Sequence, residues 1–159
     1  MSMESLKELG RGTYTLVIKV NEDLKIVIGK LGSIMFYKGI YCYIGSALGP
    51  SNLSLYMRVN RHLNKVKKLK WHIDYLTSHE MVSIIAIIAA KTQEKFECRI
   101  ASLINKSNKA IPIVKFGSTD CRCISHLYYF KNMHEDEVIK FIANIYSHLG
   151  LLPKIISLK

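Results

Sequence analysis

The stretch that most limits how this chain can fold is residues 82–90, Val-Ser-Ile-Ile-Ala-Ile-Ile-Ala-Ala, its most apolar run. A helix spanning a bilayer needs about 20 apolar residues, roughly twice what this run supplies, and its Ile content suits extended backbone. It is read as a buried strand, so the remaining sequence must supply the sheet around it. Residues 12–20 offer the clearest partner. There Tyr14, Leu16, Ile18 and Val20 alternate with Thr13, Thr15, Val17 and Lys19 in a period of two rich in β-branched side chains.

Asn21-Glu22-Asp23 reads as a turn, followed by a short strand over residues 24–28 and a break at residues 29–32. A third strand is expected from about residue 34 to 45, with Gly39 as a point of interruption inside it. Sequence-adjacent strands of this kind form an antiparallel meander. After Gly49-Pro50, Ser51 or Asn52 is expected to cap a basic amphipathic helix bearing Leu53, Met57 and Leu63. Residues 71–76 read as a second short helix and residues 94–105 as a third, with Phe96, Ile100 and Ile104 on one face. Residues 134–149 close the pattern as a helix turning Val138, Phe141, Ile142 and Ile145 inward, whereas residues 112–130 show no clear period. The expected class is therefore α/β of the α+β type, a small central antiparallel sheet flanked by helices with a C-terminal helical extension. A length of 159 residues at 49% hydrophobic content supports one core and not two, so a single domain over residues 1–159 is expected.

Lys and Arg number 23 against 12 acids, a formal charge of +11. Such an excess on a small globule points to a polyanionic partner, of which nucleic acid is the commonest, and not to a membrane. Between residues 58 and 70 there are six Lys/Arg and no acid. Arg58, Arg61, Lys65, Lys67 and Lys68 are accordingly expected to contact phosphate. The first ten residues carry Glu4 and Glu8 and lack the apolar core of a secretion signal, which predicts a cytoplasmic protein. Four cysteines in such a chain argue against a disulfide scaffold. Cys121-x-Cys123-x-x-His126, with Cys98 elsewhere, has zinc-binding residue types, but a one-residue spacing departs from the C-x2–4-C pattern of structural sites. Buried thiols or a stabilising bridge are the expectation there.

Several of these residues occur in a telling order. Gly12-Thr13-Tyr14 lies on the first strand and Tyr43-Ile44-Gly45 on a later one. Arg58 and His62 stand four apart on a helix, and Glu97 sits near the start of a later helix. In that order they resemble the signature of the GIY-YIG nucleases. The strings Gly45-Ser46-Ala47, Arg61-His62, residues 71–76, Glu97-Cys98 and residues 116–127 more particularly resemble the Uri-type branch, so that the resemblance covers about residues 12–130. It implies a GIY-YIG-like fold and a metal-dependent endonuclease that hydrolyses phosphodiester bonds in DNA during repair or recombination. Tyr14 would be the base or the water-positioning phenol, Tyr43 its partner, Arg58 a phosphate clamp, His62 an auxiliary proton or phosphate contact, and Glu97 the ligand of one Mg or Mn ion.

The residue types fit that chemistry, which needs a carboxylate for a hard cation, a guanidinium for phosphate oxygens and groups able to move a proton. Arg58 and His62 share a helix face. Tyr41 is set aside in favour of Tyr43: both lie on one strand, and the two tyrosines have to converge from neighbouring strands. A phenol titrates near ~10, so service as a base at neutral pH asks the site for about 4 kcal/mol of phenolate stabilisation, with Arg58 and the metal as its expected sources. Two other readings fit the same features, a non-catalytic nucleic-acid-binding module and an RNA-directed nuclease. His72, Asp74 and Asp120 receive no role.

Overall fold

The computed structural model describes residues 2–50 and 54–158. In chain order the elements are α1 (Glu4–Leu9), β1 (Gly12–Val20), β2 (Leu24–Val27), β3 (Ser33–Phe36), β4 (Gly39–Ala47), α2 (Leu55–Leu63), α3 (His72–Thr77), β5 (Val82–Lys91), α4 (Glu97–Ser107), β6 (Ile111–Pro112), β7 (Leu127–Phe130), α5 (Glu135–His148) and β8 (Lys154–Ser157). Six strands form one antiparallel sheet in the order β6-β7-β4-β1-β5-β8, and β2 pairs with β3 in a separate hairpin.

The two strands read most clearly from sequence sit side by side at its centre, β1 against β5. Both faces of β1 are covered. Leu16, Ile18 and Val20 face a core completed by Leu6 of α1, Leu55 and Val59 of α2, and Ile73 and Leu76 of α3. Val17 faces a second core built with Ile100 and Ile104 of α4 and Val138, Ile142 and Tyr146 of α5. Thr13 and Thr15 are fully buried. Their hydroxyls are satisfied there, Thr13 Oγ1 lying 3.1 Å from Thr92 Oγ1 and Thr15 Oγ1 2.8 Å from the Tyr146 hydroxyl, which removes the cost of burying them.

Three expectations need correction. The strand expected over residues 34–45 is two strands in different sheets, divided near Gly39, whose φ of 143° is one that L side chains rarely adopt and where a Cβ would stand 2.9 Å from the Tyr129 ring. The C-terminal helix packs inward as expected, α5 bonding the middle of β1 through Tyr146, but a strand that was not expected, β8, follows it along the edge of β5. Residues 94–96, expected to open a helix over 94–105, precede α4, which begins at Glu97. Ser51 and Asn52, expected as caps of α2, lie outside the described residues; Ser54 Oγ accepts from the Met57 N–H at 3.5 Å. No helix among the described residues is long and apolar enough to cross a membrane.

Candidate functional site

Tyr14 on β1 stands opposite Gly45 on β4, with Tyr43 two residues earlier on the same face of the sheet. Because Gly45 has no side chain, the Tyr14 ring lies across it. A Cβ at that position would meet the phenol oxygen at 2.5 Å and the adjoining ring carbon at 2.6 Å. The ring thereby reaches α2, where Tyr14 Oη lies 2.7 Å from His62 Nε2. One turn earlier on the same helix, Arg58 donates to the Ser46 carbonyl at 3.1 Å and rests over the Trp71 ring at 4.7 Å. Glu97 opens α4, and Asp120 comes from the loop between β6 and β7.

These elements enclose a cleft of about 320 Å³ whose lining includes Tyr14, Tyr43, Ser46, Arg58, His62, Trp71, Lys95, Glu97, Asp120 and His126. All five catalytic candidates from the sequence, Tyr14, Tyr43, Arg58, His62 and Glu97, are thus brought together. Tyr41 is elsewhere: its hydroxyl donates to the Tyr37 carbonyl at 2.7 Å and its ring stacks on Tyr129 at 4.6 Å. Trp71, Ser46, Lys95 and Asp120 join the cleft, none of them having been given a role from the sequence.

The protonation states favour the water-positioning phenol over the base among the two roles expected of Tyr14. Burial, followed by the neighbouring Tyr43, raises the Tyr14 pKa well above that of an ordinary phenol, and Arg58 does not offset this. Burial and Glu97 likewise raise that of Tyr43, again against the pull of Arg58. Burial, then Lys67, pulls His62 down to about 3. Both members of the pair are therefore neutral near pH 7. The two share one hydrogen bond, in which the phenol or the imidazole is the donor according to the imidazole tautomer. Ser46 Oγ, His62 Nδ1 and Glu97 Oε2 are buried without a hydrogen-bond partner among the described residues, and all three belong to side chains lining this cleft.

The basic stretch is organised differently from expectation. Arg61 makes a bidentate pair with the fully buried Asp74 at 2.7 and 2.8 Å, and also donates to the Lys68 carbonyl at 3.0 Å. Asp74 further accepts from the backbone N–H of Lys70 and Trp71. Burial alone would raise the Asp74 pKa; these bonds and the Arg61 charge outweigh it and hold the carboxyl below its usual range. Lys65 Nζ donates to the carbonyls of Thr77 and His79 at 3.0 and 2.7 Å and to that of Val82. Lys67 Nζ donates to the His62 carbonyl at 2.8 Å and to Thr77 Oγ1 at 2.7 Å, and burial lowers its pKa to about 8. Arg61, Lys65 and Lys67 therefore clamp α2, α3 and the start of β5 together, with their polar atoms spent on protein groups. Lys68 and Lys70 are exposed. His72 is also structural, its Nδ1 accepting from the Gly117 N–H at 2.9 Å.

Beside the cleft lies a second cluster. His126 Nε2 is 3.8 Å from Cys98 Sγ and 3.6 Å from Cys121 Sγ, and with Cys123 the four ligand atoms all fall within 4.8 Å of one another. All four cysteines of the chain are free thiols, so of the alternatives expected for this group the bridge is not formed, and its thiols are not fully buried either, Cys98 being exposed and Cys121 and Cys123 intermediate. This group can hold a metal ion. Its soft sulfur donors are not typical for Mg or Mn, so it is not the centre expected around Glu97.

A family model described as "Domain of unknown function DUF123" matches residues 13–150. No curated protein and no solved structure matches the chain. DUF123 is a family distinct from the GIY-YIG nucleases, so the GIY-YIG and Uri-type resemblance drawn from the tyrosine strings is not supported.

Proposed function

Given that the chain belongs to the DUF123 family, a membership that assigns no activity, we propose from the cleft itself that the protein is a divalent-metal-dependent phosphodiesterase that cuts nucleic acid, DNA in preference to RNA. The observation that carries this reading is that Ser46 Oγ, His62 Nδ1 and Glu97 Oε2, buried polar atoms without partners among the described residues, belong to one cleft that Arg58 also lines. Buried polar atoms left unpaired are costly, and they concentrate where a ligand completes the bonding. A phosphodiester with its cation brings both an anion for Arg58 and a positive charge for Glu97. The formal charge of +11 supplies the long-range attraction to a polyanion.

Arg58 is held from two sides, by the Ser46 carbonyl and the Trp71 ring, which fixes the guanidinium while leaving further N–H groups for phosphate oxygens. Glu97, with Asp120 beside it in the lining, supplies hard oxygen donors of the type Mg or Mn prefers. A bound divalent ion would polarise the phosphate and offset charge developing on it. Tyr14 need not become a resting phenolate. As the water oxygen bonds to phosphorus and the bond to the leaving oxygen breaks, the Tyr14 phenol, held by His62, positions the water, whose proton passes to solvent. The leaving oxygen is protonated from solvent.

The test is single-turnover cleavage beside equilibrium binding on nicked, branched and RNA duplexes in magnesium. Glu97→Gln is expected to bind at least as tightly as the parent, since an acid facing phosphate is neutralised, while cleavage falls by several orders of magnitude. Equal cutting by Glu97→Gln would remove Glu97 from the chemistry. Cleavage of RNA alone would redirect the substrate, and a parent that binds every form and cuts none would make this a binding module.

A further inference from the structure

The four residues of the sulfur-rich cluster come from two separate segments: Cys98 from the first turn of α4, and Cys121, Cys123 and His126 from the loop between β6 and β7. Zinc bonds of about 2.3 Å to sulfur and 2.0–2.1 Å to nitrogen at tetrahedral angles place sulfur atoms about 3.8 Å apart and sulfur about 3.6 Å from nitrogen. The two sulfur–nitrogen separations here are 3.8 and 3.6 Å. We propose that Cys98, Cys121, Cys123 and His126 form a closed structural zinc site that ties the start of α4 to the loop between β6 and β7.

Three thiolates and one imidazole select zinc over Mg, Ca or Mn by donor softness. With all four tetrahedral positions filled by protein no position is open to substrate, which makes the site structural and not catalytic. The one-residue spacing of Cys121 and Cys123 differs from a C-x2–4-C knuckle because the set is not one paired-cysteine motif: the loop supplies three ligands and α4 the fourth.

The loop also calls for such a tie. Residues 113–126 contain no helix or strand, and Lys115 and Gly117 take positive φ values of 65° and 70°. A connection of this length without regular structure is uncommon in a compact domain unless something orders it. The staple has a consequence for the neighbouring cleft, because Glu97 and Asp120 are the immediate sequence neighbours of Cys98 and Cys121. Fixing the two thiolates fixes where the two carboxylates enter. That consequence rests on the phosphodiesterase reading, whereas the zinc site does not.

The experiment is metal analysis of the full chain, expressed with zinc and purified without added metal or chelator, followed by cobalt substitution. Expected are one zinc per chain and, for the cobalt form, intense thiolate-to-metal charge-transfer absorption with tetrahedral d–d bands. Cys98→Ser, at an exposed position, is expected to weaken that absorption and to lose zinc to a chelator at least tenfold faster. Limited trypsin digestion gives a readout of the loop: Arg122, exposed between two ligands, should resist cleavage with zinc bound and be cut rapidly once the metal is stripped. Zinc-free protein that develops no thiolate–cobalt band overturns the proposal, as does a mass deficit of two hydrogens from a bridge between Cys98 and either loop cysteine. None of these readouts uses nucleic acid, so failure of the zinc site and failure of the cleft reading are separate results.

Discussion

The Tyr14 hydroxyl lies 2.7 Å from His62 Nε2 across the boundary between the central strand and α2, with the imidazole almost completely buried. In the unfolded chain that imidazole titrates near its ordinary 6.5, and in the folded protein near about 3. Between those values the unfolded chain takes up a proton that the folded protein refuses. The stability contributed by neutral His62 is therefore complete above pH 6.5 and is lost progressively as the pH falls toward the folded value, at up to roughly 1.4 kcal/mol per pH unit. Asp74, held below its usual 3.8, loses its contribution only at lower pH. Urea unfolding from pH 7 to 4.5 should show the steeper fall in the parent and a shallower one in His62→Gln. Parallel curves would mean that His62 is protonated in the folded state, with Lys67, Arg58 and Arg61 failing to exclude the charge.

If Tyr14 and His62 act as one hydrogen-bonded unit that positions the water, their losses in turnover should not multiply. Tyr14→Phe deletes only the hydroxyl, and His62→Gln deletes the imidazole that holds it. Each is expected to slow single-turnover cleavage by about 10²–10⁴ while sparing DNA affinity, with the double variant close to the worse single one. A double variant slower by the product of the two effects would assign the residues separate roles.

Gly45 tests the packing that creates the pair. A methyl group placed 2.5 Å from the Tyr14 oxygen and 2.6 Å from its ring carbon has to expel the ring from the sheet face, because β4 is fixed between β1 and β7. Gly45→Ala should cost about 1–3 kcal/mol in chemical denaturation. In a Tyr14→Ala background the same change should cost far less, because nothing is left to collide, and additive costs would place the strain elsewhere.

The parts of the fold legible in the sequence are those whose pattern is local. β1 and β5 declare themselves through alternation and apolar content, and α5 through its helical stripe. β8 does not, because residues 154–157 become a strand only by pairing with β5, an interaction that no local period encodes. α1, six residues long, carries a single buried side chain, Leu6, too little for a periodic signal. In the cleft, Tyr14, Tyr43, Arg58, His62 and Glu97 are legible from residue type and order, whereas Asp120 arrives on an irregular loop and Trp71 reads only as the start of a helix. The metal-ligand geometry of the cysteines is obscured for the same reason, since an irregular loop and the distant α4 share the ligands and a spacing rule for one contiguous motif does not describe them.

The basic stretch offers the sharpest separation of structure from binding, because cations adjacent in sequence have different partners. Arg61 neutralises the fully buried Asp74, and breaking a buried pair strands the other charge, which typically costs about 3–5 kcal/mol. Lys65 and Lys67 satisfy backbone carbonyls of Thr77, His79 and His62. Lys68 and Lys70 are exposed, and the Lys70 ammonium lies 5.0 Å from the Trp71 ring centre, on the cleft residue that also supports Arg58. Arg61→Gln should accordingly lower the unfolding midpoint strongly, with Lys67→Gln next. Lys68→Gln and Lys70→Gln should leave stability within about 0.5 kcal/mol. For DNA the order reverses. Each phosphate left without its cation should reduce the slope of log K against log salt by about 0.9, so Lys68→Gln with Lys70→Gln should flatten it for every duplex tested. Thermal melts and salt-series binding on the same four variants decide the matter: an unchanged salt slope in the Lys68/Lys70 pair would take this face away from the nucleic acid, and an Arg61→Gln protein of parental stability would show that the Asp74 pair does not hold α2 to α3.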